Sequence, residues 1–317
     1  MARVGLGCGR LRGGREESNS RRVLDAALEC GIRYFDTAPS YGSEAVLGRG
    51  LRGMGREVQV CSKVGLPPAA ADSGRTIRAA ALAALRRVLP DAALDALKKL
   101  PGASPRAAAG ARGYGRFEAA SICSSVQQSL ERLQRERLEC LLLHEPRMSD
   151  PTPEAALILE RLVGEGMAVR LGVGTGYQLD ELPQFGDVAQ FAMGPAVFGA
   201  ADSRMLICHG LLRGLDRGAF ERCVAAGGIY AKRPALARLA RGPLGAGAIL
   251  LNAVLLGTNV GQVLVSTSSA TRLRKFLSSA RGVFEEVWSG NAEEVRPGFS
   301  SALLDYYGVR LVAQGAP

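Results

Sequence analysis

The sequence predicts an α/β fold, a (β/α)8 TIM barrel of eight parallel strands under helical cover, and three observations lead there. Short apolar runs alternate with stretches of helical period along most of the chain. Those runs lack polar alternation, so both faces of each strand are buried, which calls for parallel pairing beneath helices. The 317 residues suit one α/β barrel, which commonly takes ~250 residues, as well as two domains of ~150. An open doubly wound sheet is the rival arrangement, and the count and spacing of the strands fit the closed barrel better.

Val4 to Gly7 is the first strand. Ser20 to Cys30 is a helix with Val23, Leu24, Ala27 and Leu28 on one face, and Gly31 stops it. Ile32 to Asp36 is the second strand, and Ser43 caps a helix that runs to Leu51. Glu57 to Lys63, containing VQVCSK, is the third strand. Residues 66–120 then break the rhythm with a low-complexity stretch, in which Ile77 to Leu89 and Ala92 to Leu100 are of helical period. An insert this long is a lid or binding loop, or else partly disordered, and after strand three it leaves the barrel end where such folds hold their chemistry.

Ser121 to Arg137 is a helix with Val126, Leu130 and Leu133 inward, and Leu138 to His144 (LECLLLH) is the fourth strand. Pro153 to Gly164 is the next helix and Ala168 to Val173 the fifth strand. Asp187 to Phe191, Met205 to Cys208 and Gln262 to Val265 complete the eight, the last two separated by helical stretches at Ala219 to Ala226 and Pro234 to Leu256. Between Phe191 and Met205 there is little room for a full helix, so that crossover must be abbreviated. The tail 281–317, with Phe284, Val287, Leu303, Tyr306 and Tyr307, reads as closing helices of the same single domain, 1–317.

Composition narrows the function classes. A chain with 47% hydrophobic residues and only 40 Gly and 15 Pro is globular, neither disordered nor collagenous. The net charge of +10 is spread as scattered arginine with no basic stripe, which favours anionic ligands in general and gives no footprint for nucleic acid. Seven widely spaced cysteines without a CxxC pair read as reduced thiols and core fillers, and two histidines cannot build a histidine-rich zinc site. No apolar run reaches the ~18 residues of a membrane helix, and the first residues are too short an apolar stretch for a signal peptide. A cytoplasmic protein that engages no membrane, nucleic acid or metal is the expectation.

In a barrel the strand C-termini converge on one pocket, so reactive side chains there meet even when far apart in sequence. Asp36, Lys63 and His144 end strands two, three and four, and Tyr41 lies in the turn APSYGS just after Asp36. Together they make a proton-transfer site: an ammonium beside a phenol lowers its ordinary pKa of ~10, Asp36 orients Lys63, and His144 orients a carbonyl oxygen. Singly, each has a plainer explanation as a turn residue, a snorkelling strand end or a satisfied core histidine. Four such residues on three successive strands are hard to obtain by chance. GLGCG near the start lacks the third glycine and following helix of a Rossmann fingerprint and reads as a turn.

The stretches GIRYFDTAPSYGSEAVLGRGL and VQVCSKVG resemble the aldo-keto reductase signature, and SVQQSLERLQRERLECLLLHEP resembles that family's helix and fourth strand. The likeness continues at intervals through GLGCGRL, GEGMAVRLGVGTGY and VLVSTSSATRLRKFL, and HGLL after strand seven resembles the branch acting on aldoses such as L-galactose. The resemblance implies NADP(H) ahead of NAD(H), no metal, and hydride transfer between nicotinamide and a carbonyl or alcohol carbon of a small aldehyde, ketone or sugar. It implies Tyr41 as general acid, Lys63 and Asp36 as its relay, and His144 as the carbonyl-orienting group. Gln190 matches the glutamine that holds the nicotinamide carboxamide, and Arg272, with Ser266, Thr267 and Ser269, matches the grip on the adenosine 2′-phosphate, where a helix start adds amide donors.

Three positions depart from the family pattern. Gly174 and Thr175 stand where a serine–asparagine pair usually follows strand five, Cys208 and His209 where an aromatic stacks on the nicotinamide, and Ser266 where a basic residue meets the phosphate. A capping hairpin ahead of strand one is expected to be missing or minimal, and a monomer is expected. A catalytically impaired barrel that senses dinucleotide or binds a partner is the alternative function.

Overall fold

The strands β1 (Val4–Gly7), β2 (Tyr34–Asp36), β3 (Gln59–Val64), β4 (Leu138–His144), β5 (Ala168–Gly174), β6 (Val188–Ala192), β7 (Met205–His209) and β8 (Gln262–Val265) form a closed barrel in sequence order in the computed structural model. Every neighbouring pair is parallel, and β8 closes onto β1 with Val263 opposite Val4 and Val265 opposite Leu6. The structure describes residues 3–69, 114–176, 180, 182–198, 202–213, 215–288 and 294–308. The helices expected at Ile77 to Leu89 and Ala92 to Leu100 lie outside the described residues.

Alternation along each strand sorts its side chains into two apolar layers. Tyr34, Cys61, Cys140, Leu142, Val188, Ile207 and Leu264 fill the barrel interior. Phe35, Val60, Leu141, Leu143, Val173, Phe191, Leu206 and Cys208 face outward into the larger core beneath the helices. That two-sided burial is why the strands read as continuous apolar runs. β5 and β6 approach closely where Gly172 faces Val188, because a Cβ on Gly172 would collide with the Val188 carbonyl. Gly172→Ala is expected to cost about 1–3 kcal/mol of stability by overpacking, read as a lower urea midpoint at unchanged slope.

The helices cover the barrel at Glu17–Glu29, Glu44–Gly50, Ala119–Leu133, Pro153–Gly164, Arg217–Ala226, Gly245–Gly257 and Ala270–Trp288. The helix before β4 ends at Leu133 rather than Arg137, because Gln134 turns left-handed at φ 54° and closes it. The stretch expected as one helix from Pro234 to Leu256 is two, Pro234–Ala240 and Gly245–Gly257, parted at Gly242 and Pro243. Gly245–Gly257 is buried on nearly all sides, and its one polar core residue, Asn252, donates to the Ala248 and Ala280 carbonyls at 2.9 and 3.0 Å. The crossover from β6 to β7 is abbreviated, and its described residues carry a 3-10 turn at Pro195–Val197. In the tail, residues 281–288 continue the helix that follows β8, and among the described residues Arg296–Tyr307 is a separate closing helix.

Candidate active site

The site residues continue the inward-facing series at the C-terminal rim. Two residues beyond Tyr34 is Asp36, beyond Cys61 is Lys63, beyond Leu142 is His144, beyond Val188 is Gln190, and beyond Ile207 is His209. Each therefore points into the mouth of the barrel by strand parity. Tyr41 reaches the same place by a turn: a 3-10 turn at Pro39–Tyr41 ends at Gly42 with φ 70°, and the buried Thr37 and Ser43 hydroxyls, 2.8 Å apart, brace it.

Asp36, Tyr41, Lys63 and His144 form one cluster. The Lys63 ammonium donates to Asp36 Oδ1 at 2.6 Å and to the Thr37 carbonyl at 2.9 Å, and its side chain is only 2% exposed. It lies 5.1 Å from the centre of the Tyr41 ring, and that ring meets His144 edge-on at 5.6 Å and 89°. Burial disfavours the ammonium, but the neighbouring Asp36, Tyr41 and Cys61 together outweigh it, so the Lys63 pKa is raised and the side chain stays charged. The sequence led us to expect a lowered Tyr41 pKa, and here the structure differs: burial raises it, and the opposing pull of Lys63 only partly offsets that. The phenol is thus a protonated donor through the neutral range.

His144 is neutral as well, its pKa pushed down to about 3 by burial, then by Lys63 and His209. Its Nδ1 lies 3.4 Å from Ser40 Oγ. Because an unfolded histidine titrates near 6.5, acidification protonates the unfolded chain first, so His144 costs stability as pH falls below ~6.5. Between pH 7 and pH 5 the expected loss is about 2 kcal/mol, and His209, lowered in the same direction by burial, adds to it. Urea unfolding at both pH values checks this, since His144→Gln should flatten the slope relative to the parent.

The other candidates fall into three places. Gly174, Thr175, Gln190 and His209 adjoin the cluster: a Cβ on Gly174 would come 3.1 Å from Gln190 Oε1 and 3.3 Å from Lys63 Cε, the Thr175 amide donates to the Gln190 carbonyl at 3.0 Å, and His209 Nε2 donates to the Thr175 carbonyl at 2.7 Å. Ser266, Thr267, Ser269 and Arg272 form a second group after β8. There Ser266 donates to the Gly7 carbonyl at 3.0 Å, Asn19 to the Ser268 carbonyl at 2.8 Å, and Ser269 Oγ accepts from the Arg272 amide at 3.2 Å, capping the helix Ala270–Trp288. The Arg272 side chain is exposed. Cys208 joins neither group. It lies on the outward face of β7, fully buried under the helices, one residue out of phase with His209.

Gln190 Oε1 is buried with no hydrogen-bond partner among the described residues. An orphaned acceptor is costly unless something donates to it, and the lack of a side chain at Gly174, whose Cβ would crowd that oxygen at 3.1 Å, keeps the acceptor approachable. A nicotinamide carboxamide fits that acceptor, and the exposed Arg272 in the first turn of its helix fits a phosphate. Among the described residues no group of His, Cys, Asp or Glu is arranged to hold a metal ion, and no helix is long and apolar enough to cross a membrane.

Glu145 is absent from the residues singled out above, yet its carboxylate accepts from the Thr175 hydroxyl at 2.6 Å and the Gly176 amide at 2.9 Å. The available signal was its position, a charged residue directly after the end of an apolar strand. Gly115 and Phe117 also pack on this rim: the Gly115 amide donates to the Glu145 carbonyl at 3.1 Å, the Arg116 amide to the Gly65 carbonyl at 2.8 Å, and the Phe117 ring lies against Gly65.

The model of the Aldo/keto reductase family matches residues 3–185. The aldo-keto reductase YhdN of Bacillus subtilis (strain 168) is 25% identical over 195 residues, covering 59% of this chain and 47% of that protein. A D-threo-aldose 1-dehydrogenase from a Pseudomonas species is 30% identical over 159 residues, covering 48% of this chain and 43% of that protein. The matches thus span less than half the length of these curated relatives. The holo form of an aldo-keto reductase from Bacillus halodurans superposes with a TM-score of 0.59 at 19% identity, over 98% of this chain and 94% of that one, a likeness of fold.

Proposed function

This chain belongs to the aldo/keto reductase family, and from that premise we propose that it is an NAD(P)-dependent oxidoreductase acting on a carbonyl or alcohol carbon of a small aldehyde, ketone or sugar. The observation that carries the reading is the buried Asp36–Lys63 pair beside Tyr41 and His144 at the barrel mouth. The nicotinamide supplies or takes the hydride. Tyr41 gives its phenolic proton to the carbonyl oxygen in reduction and recovers it in oxidation, and the fixed ammonium of Lys63 stabilises the phenolate left behind. A neutral His144 orients the oxygen without competing for the proton. Gln190 would hold the carboxamide, and Arg272 with Ser266, Thr267 and Ser269 would meet a 2′-phosphate, which favours NADP(H) over NAD(H). We take the working protein as a cytoplasmic monomer, a setting that agrees with seven free cysteines.

A fluorescence titration with NADPH and, in parallel, NADH tests this. A charge-assisted contact to the phosphate is worth enough to make NADPH bind about ten-fold more tightly, and Arg272→Ala should erase that margin. Failure of both dinucleotides to bind would falsify the oxidoreductase reading and leave a non-catalytic barrel.

A further inference from the structure

Glu145 follows His144 at the end of β4 with φ 55°, a left-handed conformation that is strained for a residue with a side chain. All four of its polar points are engaged. Its amide donates to the Gly174 carbonyl at 2.8 Å, its carbonyl accepts from Gly115, and its two carboxylate oxygens take the Thr175 hydroxyl and the Gly176 amide. Thr175 is held in turn: its amide donates to the Gln190 carbonyl and its own carbonyl accepts from His209 Nε2 at 2.7 Å. One strained residue thus ties the ends of β4, β5, β6 and β7 together.

The link to His209 fixes a tautomer. A carbonyl only accepts, so Nε2 carries the proton, and in a neutral ring Nδ1 carries a lone pair. Burial keeps the imidazole neutral, assisted by Lys63 and Arg213 and opposed by the Thr175 carbonyl and Asp36. The hydrogen bond that holds the ring is made by Nε2, which leaves Nδ1 as its accepting edge. Gln190 Oε1, the orphaned acceptor, stands on the neighbouring strand, where Gln190 pairs with Ile207 and Ala192 with His209. Both side chains face the mouth of the barrel. Two acceptors on neighbouring strands at one rim suit a group with two N–H donors, and an amide NH2 is that group.

We propose that Glu145 is a positioning residue which, through Thr175, holds His209 so that its Nδ1 accepts a hydrogen bond from the carboxamide NH2 of the nicotinamide, as the partner of Gln190. The inference rests on the dinucleotide reading above and assigns to Glu145, Thr175 and His209 the work of the altered positions after strands five and seven.

Equilibrium binding to NADP+ and to its 3-acetylpyridine analogue, in which a methyl replaces the NH2, tests it without turnover. The parent protein should prefer the carboxamide about ten-fold, the worth of one or two hydrogen bonds. His209→Phe, with His209→Leu as a second variant should the first not fold, should lose most of that preference. Glu145→Ala should weaken NADP+ binding roughly five-fold with the preference reduced, and Glu145→Gln, which still accepts from the Thr175 hydroxyl, should recover most of both. Folded His209 variants that keep the full preference, or a Glu145→Ala protein that binds both dinucleotides as the parent does, overturn the proposal alone. A parent protein that binds neither dinucleotide overturns it together with the functional reading.

Discussion

Replacement of Tyr41 by Phe is expected to lower turnover by about 10²–10⁴-fold while dinucleotide affinity stays near that of the parent. Only the hydroxyl is removed. The ring keeps its edge-on contact with His144 and its packing over Gly9, where a Cβ would lie 3.6 Å from it, so the mouth of the barrel retains its shape. The loss should appear in kcat for any carbonyl the parent reduces, with the binding titration as control. The parent's reduction rate should also be flat across the neutral range. Burial holds the phenol protonated there and His144, with a pKa of about 3, uncharged, and the rate should fall only once the medium is alkaline enough to remove the phenolic proton. A Tyr41→Phe protein with undiminished turnover removes Tyr41 from the proton path.

Replacement of Lys63 by Met should have the second large effect, on stability as well as on activity. Lys63 and Asp36 are 2% and 5% exposed and 2.6 Å apart. Removing one member leaves a carboxylate buried without its partner, which typically costs about 3–5 kcal/mol. The Thr37 carbonyl also loses its donor. Adding Asp36→Asn to Lys63→Met removes the stranded charge and should return most of the stability, while turnover stays lost because nothing stabilises the phenolate. Urea unfolding of the two single variants and the double variant measures the coupling. If Lys63→Met unfolds at the parent's midpoint, the pair is not the buried ion pair described here.

Strand parity explains how much of the site could be read in advance. A strand buried on both faces still alternates, so residues two apart share a face. From Leu142 in the lumen one can count to His144, and from Ile207 to His209. The same count excludes Cys208, which stands one residue out of phase and lies under the helices. That exclusion was available in the sequence once β7 was known to run to His209 rather than stop at Cys208. Helix ends were less legible where they depended on single residues, such as the left-handed Gln134 or the break at Gly242 and Pro243.

By itself the sequence determined the order and parallel pairing of the eight strands and brought Asp36, Lys63 and His144 to one rim. Both follow from local patterns, the apolar runs that need burial on two faces and the fixed period of side chains along a strand. The protonation of that rim and the role open to Glu145 depend on how the closed barrel packs. The direction of the Tyr41 shift depends on how completely distant elements enclose the phenol, and the tie from Glu145 through Thr175 to His209 spans 30 and then 34 residues of chain. Burial and hydrogen bonding of this kind arise from closure of the barrel, and no local pattern encodes them.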